Sequence, residues 1–273
     1  MKNLLQRIVT GGFFGIIIYG SLFAGTVTFF IVYLSIMVLA LHEFYSHKSS
    51  AGLRVQKYTG LLASALLFAG VYGYASGHIS LKWLSLLLLI PPLMMIRELY
   101  RKDEKTFDNL AATFYGIIYV AVPLSLLSLL VYPGGSAGGL YEPGLLAGVF
   151  ILIMLNDSVA FLVGVPFGRR RLFKSVSPKK SWEGTVGGGL SVIIAAFFIN
   201  RLFPVLGTTE WIVVAFITVV FGIYGDLVES LLKRRLGIKD SGKLLPGHGG
   251  VLDRLDAWFF VIPVVWVYLN FIF

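Results

Sequence analysis

The sequence predicts an all-α, polytopic membrane protein, and three observations carry that prediction. Hydrophobic residues make up 57% of the 273-residue chain and charged residues only 14%, where an ordinary soluble domain carries about 25% charged residues. The apolar residues gather into nine runs, each close to the ~20 residues that cross a bilayer as a helix. Lysine and arginine then fall very unevenly on the two ends of those runs, as they do when a membrane separates the two sides.

The nine expected spans are residues 6–23, 26–46, 58–75, 81–101, 107–131, 144–167, 183–203, 210–234 and 252–272. The first resembles a signal peptide in that Lys2 and Arg7 precede an apolar stretch, but the small-residue cleavage pattern is poor, so it is read as a span. Pro91, Pro92, Pro123 and Pro263 lie inside runs and should kink them where neighbours satisfy the freed carbonyls. There is no tandem repeat, and no soluble domain fits between spans. The chain divides into residues 1–142, spans one to five, and residues 143–273, spans six to nine with the chemistry at their cytoplasmic ends.

Orientation follows from the cations. With the N-terminus in the cytoplasm, alternate gaps place 21 Lys and Arg residues inside and only Lys82 and Arg201 outside. Nine spans then leave the C-terminus outside. Trp83, Trp211 and Trp266 fall at the outer interface and Trp182 at the inner one, as aromatic belts do. The protein is expected in the cytoplasmic (inner) membrane with its site facing the cytoplasm.

Composition narrows the chemistry. The absence of cysteine excludes disulfides, thiolate nucleophiles and Cys-ligated zinc. The four histidines are His42, His47, His78 and His248, with no His-x-x-x-His pair, which argues against a His-rich metal site. A net charge of +9 calls for anionic partners, meaning lipid headgroups or phosphorylated substrates; nucleic acid is not an expected partner.

Span eight ends in Asp226, Glu229, Ser230 and Lys233, at i, i+3, i+4 and i+7 on one helix face. Span nine opens with Asp253 and Asp256, again at i, i+3. Two antiparallel helices joined on the cytoplasmic side can bring these acids to one depth. Like charges a few ångströms apart repel by about 4 kcal/mol at an effective dielectric of 20, so bare carboxylates there must protonate or bind a cation. Oxygen ligands select a hard ion, Mg²⁺ before Mn²⁺ or Ca²⁺. The plainer alternative makes Asp253 a helix cap and Asp226 a partner of Lys233 or Arg234.

The loop between these spans carries Gly237, Gly242, Gly247, Gly249 and Gly250 with Lys239, Lys243 and His248. Glycine lets backbone N–H groups approach phosphate oxygens, and lysine adds point charge; a flexible basic loop obeying the charge asymmetry is the alternative. His248 is open to three roles, as phosphate donor, general acid or loop-packing residue. A second basic loop runs Arg169, Arg170, Arg171, Lys174, Ser177, Pro178, Lys179, Lys180, Ser181, Trp182, Glu183. Ser177-Pro178 favours a turn, Ser181 can cap span seven, and an anionic headgroup or polyphosphate suits the charge; a topological anchor suits it too. Asp157 stands inside span six, about 16 Å of helix from the end. Insertion of a central Asp costs about 3 kcal/mol, which marks it as functional or internally partnered. His42 and Glu43, ending span two, and Arg97 and Glu98, ending span four, are explained by interface snorkelling or an Arg–carboxylate pair.

The stretch Ser230-x-x-Lys233-Arg234-x-x-x-x-Lys239-Asp240-Ser241-Gly242-x-x-x-Pro246-Gly247-His248-Gly249-Gly250-x-x-Asp253-Arg254-x-Asp256 resembles the signature of the phosphatidate cytidylyltransferases, or CDP-diacylglycerol synthases. Ser177 to Gly184 is similar to a second stretch of that family, and Asp157-x-x-Ala160-Phe161-x-x-Gly164 to a third, with Phe161 where the family often has Tyr. The resemblance covers roughly residues 156–256. It implies transfer of a cytidylyl group from CTP to phosphatidic acid, giving CDP-diacylglycerol and pyrophosphate in phospholipid biosynthesis, with Mg²⁺ and room for a second cation. It implies catalytic roles for Asp226, Lys239, His248, Asp253 and Asp256. The metal ligands would be Asp226, Asp253 and Asp256, with Asp157 and Glu229 as further candidates. Substrates would be bound by Ser177, Lys180, Ser181, Glu183, Ser230, Lys233, Arg234, Gly249, Gly250 and Arg254. A homodimer and a polar cavity open sideways to the lipid are further expectations. Two other readings compete: a polyprenol kinase-like enzyme that moves the γ-phosphate of CTP, and a transporter of anionic lipids, for which the inverted repeats expected of that class are not apparent.

Overall fold

A computed structural model describes residues 2–101, 103–133, 139–238, 241–242 and 249–272. The protein is an all-α polytopic membrane protein, and helix forms in each of the nine apolar runs. Among the described residues, six helices are long and apolar enough to cross a membrane: Thr26–Ser49, Lys57–Ala75, Thr106–Leu130, Pro143–Phe167, Trp182–Leu202 and Thr208–Arg235. Two further apolar helices are shorter, Thr10–Phe23 and Trp258–Asn270.

The chain forms two compact units, one of residues 1–141 and 239–255, the other of residues 142–238 and 256–272. In the first unit, α1 (Lys2–Phe23), α2 (Thr26–Ser50) and α3 (Lys57–Ala75) are continuous helices. The fourth run is not one helix. It breaks into α4 (Leu81–Leu84), a 3₁₀ turn (Ser85–Leu89) and α5 (Ile90–Leu99). Pro91 and Pro92 have no N–H to donate to the preceding turn, so the chain starts a new helix there, with proline in its first positions. The fifth run stays helical through Pro123 by inserting a π turn (Ile117–Ala121) between α6 (Thr106–Gly116) and α7 (Val122–Leu130), a common way to absorb an interruption.

Helix α2 organises this unit. Phe29, Tyr33, Met37, Leu41, Phe44 and Tyr45 are almost fully buried and recur at the three- and four-residue spacing of one helix face. Tyr45 donates from its hydroxyl to the carbonyl of Thr113 at 2.8 Å. Its ring fills space left by Gly60 and Gly116, where an added Cβ would lie 2.5 Å from the Tyr45 hydroxyl and 2.5 Å from its Cε1, respectively. The buried Glu98 takes a hydrogen bond from Gln56 Nε2 at 2.6 Å and pairs with Arg101 at 3.1 Å, one helical turn on, rather than with the adjacent Arg97.

The second unit holds α8 (Pro143–Phe167), α9 (Trp182–Leu202), α10 (Thr208–Arg235) and α11 (Trp258–Asn270). Small residues allow α8 and α9 to pack closely: a Cβ on Gly184 would stand 2.5 Å from the Ala160 carbonyl oxygen and 3.0 Å from Gly164 Cα. Phe150 of α8 stacks on Trp258 of α11 with ring centroids 3.8 Å apart. The second basic loop, expected as a turn, is a short antiparallel hairpin of β1 (Arg171–Phe173) and β2 (Ser177–Ser181). Pairing satisfies the backbone groups of a segment too polar to enter a helix bundle.

Replacing Gly116 with Ala should destabilise the protein by about 1–3 kcal/mol, because the fully buried Tyr45 ring cannot retreat without strain. Reversible unfolding in mixed micelles would measure this.

Candidate active site

Glycine at position 225 lets the second unit's acids meet. A Cβ there would strike the Asp256 carbonyl oxygen and come within 3.0 Å of Ala257 Cα. With only hydrogen at that position, the segment before α11 lies directly on α10. The carboxylates of Asp226, Glu229 and Asp256 consequently offer oxygens that all lie within 4.8 Å of one another. Asp157 of α8 adds a fourth negative charge acting on Asp256.

This concentration of charge is only partly neutralised. Lys180, at the end of β2, forms an ion pair with Asp226, and Ser230 Oγ donates to Asp226 Oδ1 at 3.2 Å. Lys233 pairs with the buried Glu229 at 2.7 Å. Among the described residues, the ion pairs set Lys180 and Lys233 against this group of four carboxylates. Asp256 keeps some exposure, yet burial of its carboxyl is the largest cause of a rise in its pKa to about 7, ahead of the Asp226 and Asp157 carboxylates. An all-oxygen donor set of this spacing and residual negative charge fits a hard divalent cation. The sequence alternative that paired Asp226 with Lys233 or Arg234 does not describe this arrangement: the partner of Asp226 comes from the hairpin.

The remaining hairpin residues hold the hairpin itself. Ser181 caps α9, its Oγ accepting from Gly184 N at 3.3 Å, as the sequence suggested. The Glu183 carboxylate accepts from the backbone N–H groups of Arg169 at 3.0 Å and Arg170 at 3.1 Å. Arg234 Nε donates to the Val176 carbonyl at 3.2 Å, tying the end of α10 to the turn between the strands. Ser177 is half-buried at the start of β2. Of the hairpin's polar side chains expected at the site, Lys180 is the one that reaches the carboxylates.

In the first unit, Asp253 sits in a 3₁₀ turn (Leu252–Arg254). Its carboxylate accepts from Ser241 N at 2.9 Å and Gly250 N at 2.8 Å. Gly249 takes φ +88°, in the region that favours glycine, and Arg254 is exposed. Lys239 and His248 lie outside the described residues.

Two residues of this loop's surroundings escaped the sequence reading. The sequence explains Glu43 as an interface group, yet its Oε2 accepts from Leu252 N at 3.0 Å. It gives His47 no role, yet the His47 Nε2 bonds the Ser241 carbonyl. The one sequence signal was their i, i+4 spacing, which puts both on the same face of α2; nothing local says that residues some 200 positions later arrive there.

Residues 5–272 match the profile of the Cytidylyltransferase family. A phosphatidate cytidylyltransferase of Bacillus subtilis (strain 168) is 31% identical over 281 residues, covering 98% of each chain. One of Haemophilus influenzae is 44% identical over 124 residues, which is 44% of this chain and 43% of its own length. One of Thermotoga maritima is 36% identical over 173 residues, 61% of this chain and 62% of its own. The match thus spans less than half the length of the Haemophilus relative, just over three fifths of the Thermotoga one and nearly all of the Bacillus one.

In cation-free protein, Asp256→Asn should raise the melting midpoint at pH 8 by a few degrees and by less at pH 5.5. With a folded-state pKa of about 7, well above the usual value, the wild-type side chain is charged in the fold at pH 8 and destabilises it. At pH 5.5 it is protonated in the fold, and about half of that cost remains, because the unfolded carboxyl is already ionised there; the cost vanishes only below the unfolded value. Thermal scans with a chelator at the two pH values would check the sign.

Proposed function

We propose that this chain, which belongs to the cytidylyltransferase family, transfers the cytidylyl group of CTP to phosphatidic acid, releasing CDP-diacylglycerol and pyrophosphate. The observation that carries this reading is the cluster of Asp226, Glu229 and Asp256 with Lys180 at its edge, in a membrane protein similar along nearly its whole length to a phosphatidate cytidylyltransferase. We take the site to face the cytoplasm, from the distribution of Lys and Arg.

A phosphate oxygen of the lipid attacks the α-phosphorus of CTP, and the bond from that phosphorus to the bridging oxygen of the β-phosphate breaks. The nucleophile is already an oxyanion, so no side chain has to remove a proton. The difficulty is that both reactants are anions, and the protein's task is alignment and charge neutralisation. Bound Mg²⁺ would draw charge from the phosphate oxygens and favour departure of pyrophosphate. Asp226, Glu229 and Asp256 would hold it, with Asp157 as an additional oxygen donor. Lys180 is within reach of an arriving phosphate once a cation relieves Asp226 of its ion pair. The glycine-rich loop, with Lys239 and His248, would take the triphosphate.

Position of the label tests the reaction. CTP labelled at the α-phosphorus should deliver label to the lipid, and γ-labelled CTP should not. Label arriving from the γ position would identify a lipid kinase, and pyrophosphate release without lipid acceptor would count against the proposal. Asp226→Asn and Asp256→Asn should each lower kcat by at least about 10²-fold while the protein remains folded by its melting profile. Near-normal turnover in either variant would remove that residue from the site.

A further inference from the structure

We propose that the turn joining α3 to α4 in the first unit is a binding site for the anionic headgroup of a membrane phospholipid. It takes no part in the cytidylyl transfer proposed above and stands whether or not that reaction is the right one.

The turn shapes an open cavity of about 710 Å³, lined by Gly77, His78, Ile79, Ser80, Lys82 and Trp83. That volume lies within the ~300–1,000 Å³ of small-ligand sites. The backbone of the turn is fixed before a ligand arrives. His78 N and Ile79 N both donate to the Gly73 carbonyl, at 2.8 and 3.0 Å, while Ser76 N and Gly77 N donate to the Tyr72 and Tyr74 carbonyls at 2.9 and 3.1 Å. Ile79 packs down on Gly73, where an added Cβ would lie 3.1 Å from Ile79 Cγ1. The imidazole of His78 is held too. The Ser76 hydroxyl donates to the Tyr72 carbonyl at 2.8 Å, so its oxygen accepts from His78 Nδ1 at 2.7 Å. A hydroxyl has one proton to give, and the His78 Nε2 is the nitrogen left for a ligand.

Charge selects an anion. Lys82 is exposed and, among the described residues, forms no ion pair. The sequence has no Asp or Glu between residues 44 and 97, so no neighbouring carboxylate along the chain offsets it. Position selects a lipid. Helix α3 is long and apolar enough to cross a membrane, so the turn that follows its last residue lies at a bilayer surface. The distribution of Lys and Arg assigns that surface to the outer leaflet. Trp83 is 59% exposed, and tryptophan settles at headgroup level. Leu81, Leu86, Leu88 and Leu89 are likewise exposed, an apolar surface that acyl chains would cover. A phospholipid uses the cation and the leucines together; a free phosphate ion would use only the cation.

The test reads Trp83 itself, in full-length protein in mild detergent. Its fluorescence is isolated as the difference between wild type and Trp83→Phe. Phosphatidylglycerol brominated near the top of its acyl chains should quench this signal saturably, and phosphatidylcholine brominated at the same carbons should need a higher concentration. Lys82→Gln should weaken the phosphatidylglycerol effect about fivefold, the equivalent of the ~1 kcal/mol that one basic residue contributes near an anionic surface. Lys82→Arg, which keeps the charge, should restore it. Melting midpoints without lipid should be alike in all these variants, since the substituted side chains are exposed. Equal quenching by the two lipids, an unchanged affinity in Lys82→Gln, or a Lys82→Arg variant as weak as Lys82→Gln would each overturn the proposal. Displacement of phosphatidylglycerol by inorganic phosphate at a comparable concentration would overturn it as well, by showing a site for soluble anions.

Discussion

Crowded negative charge is the constraint around which the second unit is built. Asp226, Glu229 and Asp256 bring their oxygens within 4.8 Å of one another, at a separation where mutual repulsion is worth several kcal/mol per pair at an effective dielectric of 20. Such an arrangement persists only if the surrounding packing holds it. Gly225 supplies the approach, the stack of Phe150 on Trp258 fixes the start of α11, and Lys180 and Lys233 offset part of the charge. Among the described residues, the charge left over is what would let the cluster hold a cation.

Close packing of small residues recurs wherever a polar group has to be placed. Gly184 against Ala160 and Gly164 sets α9 on α8, and the cap of α9 is Ser181, the residue after Lys180. The hairpin's orientation therefore depends on a helix contact free of side-chain bulk. In lipid there is no hydrophobic force drawing one helix to another, and interfaces of this kind rely on contact area and satisfied polar groups.

Much of this was legible in the sequence, and the reasons are local. Six apolar runs became helices of crossing length because periodicity and length are properties of the run itself. The i, i+3 spacing of Asp226 and Glu229 was enough to put them on one face, and Ser181 announced its cap. The departures are tertiary. The break at Pro91–Pro92 depended on whether neighbours could satisfy the freed carbonyls. The Lys180–Asp226 pair joins residues 46 positions apart, so a reading by helical neighbours chose Lys233 or Arg234 instead. Glu43 looked like an interface acid because its partner, Leu252, is 209 residues away.

That separation bears on how the chain divides. The residues by which the sequence resembles the family crowd into the C-terminal half, but Ser241, Gly242 and residues 249–255 belong to the same compact unit as the N-terminal helices. A fragment beginning near residue 142 would contain the whole recognisable motif and lack α2, and with it the Glu43 and His47 contacts to Leu252 and Ser241; co-expression of two split halves would have to restore those contacts.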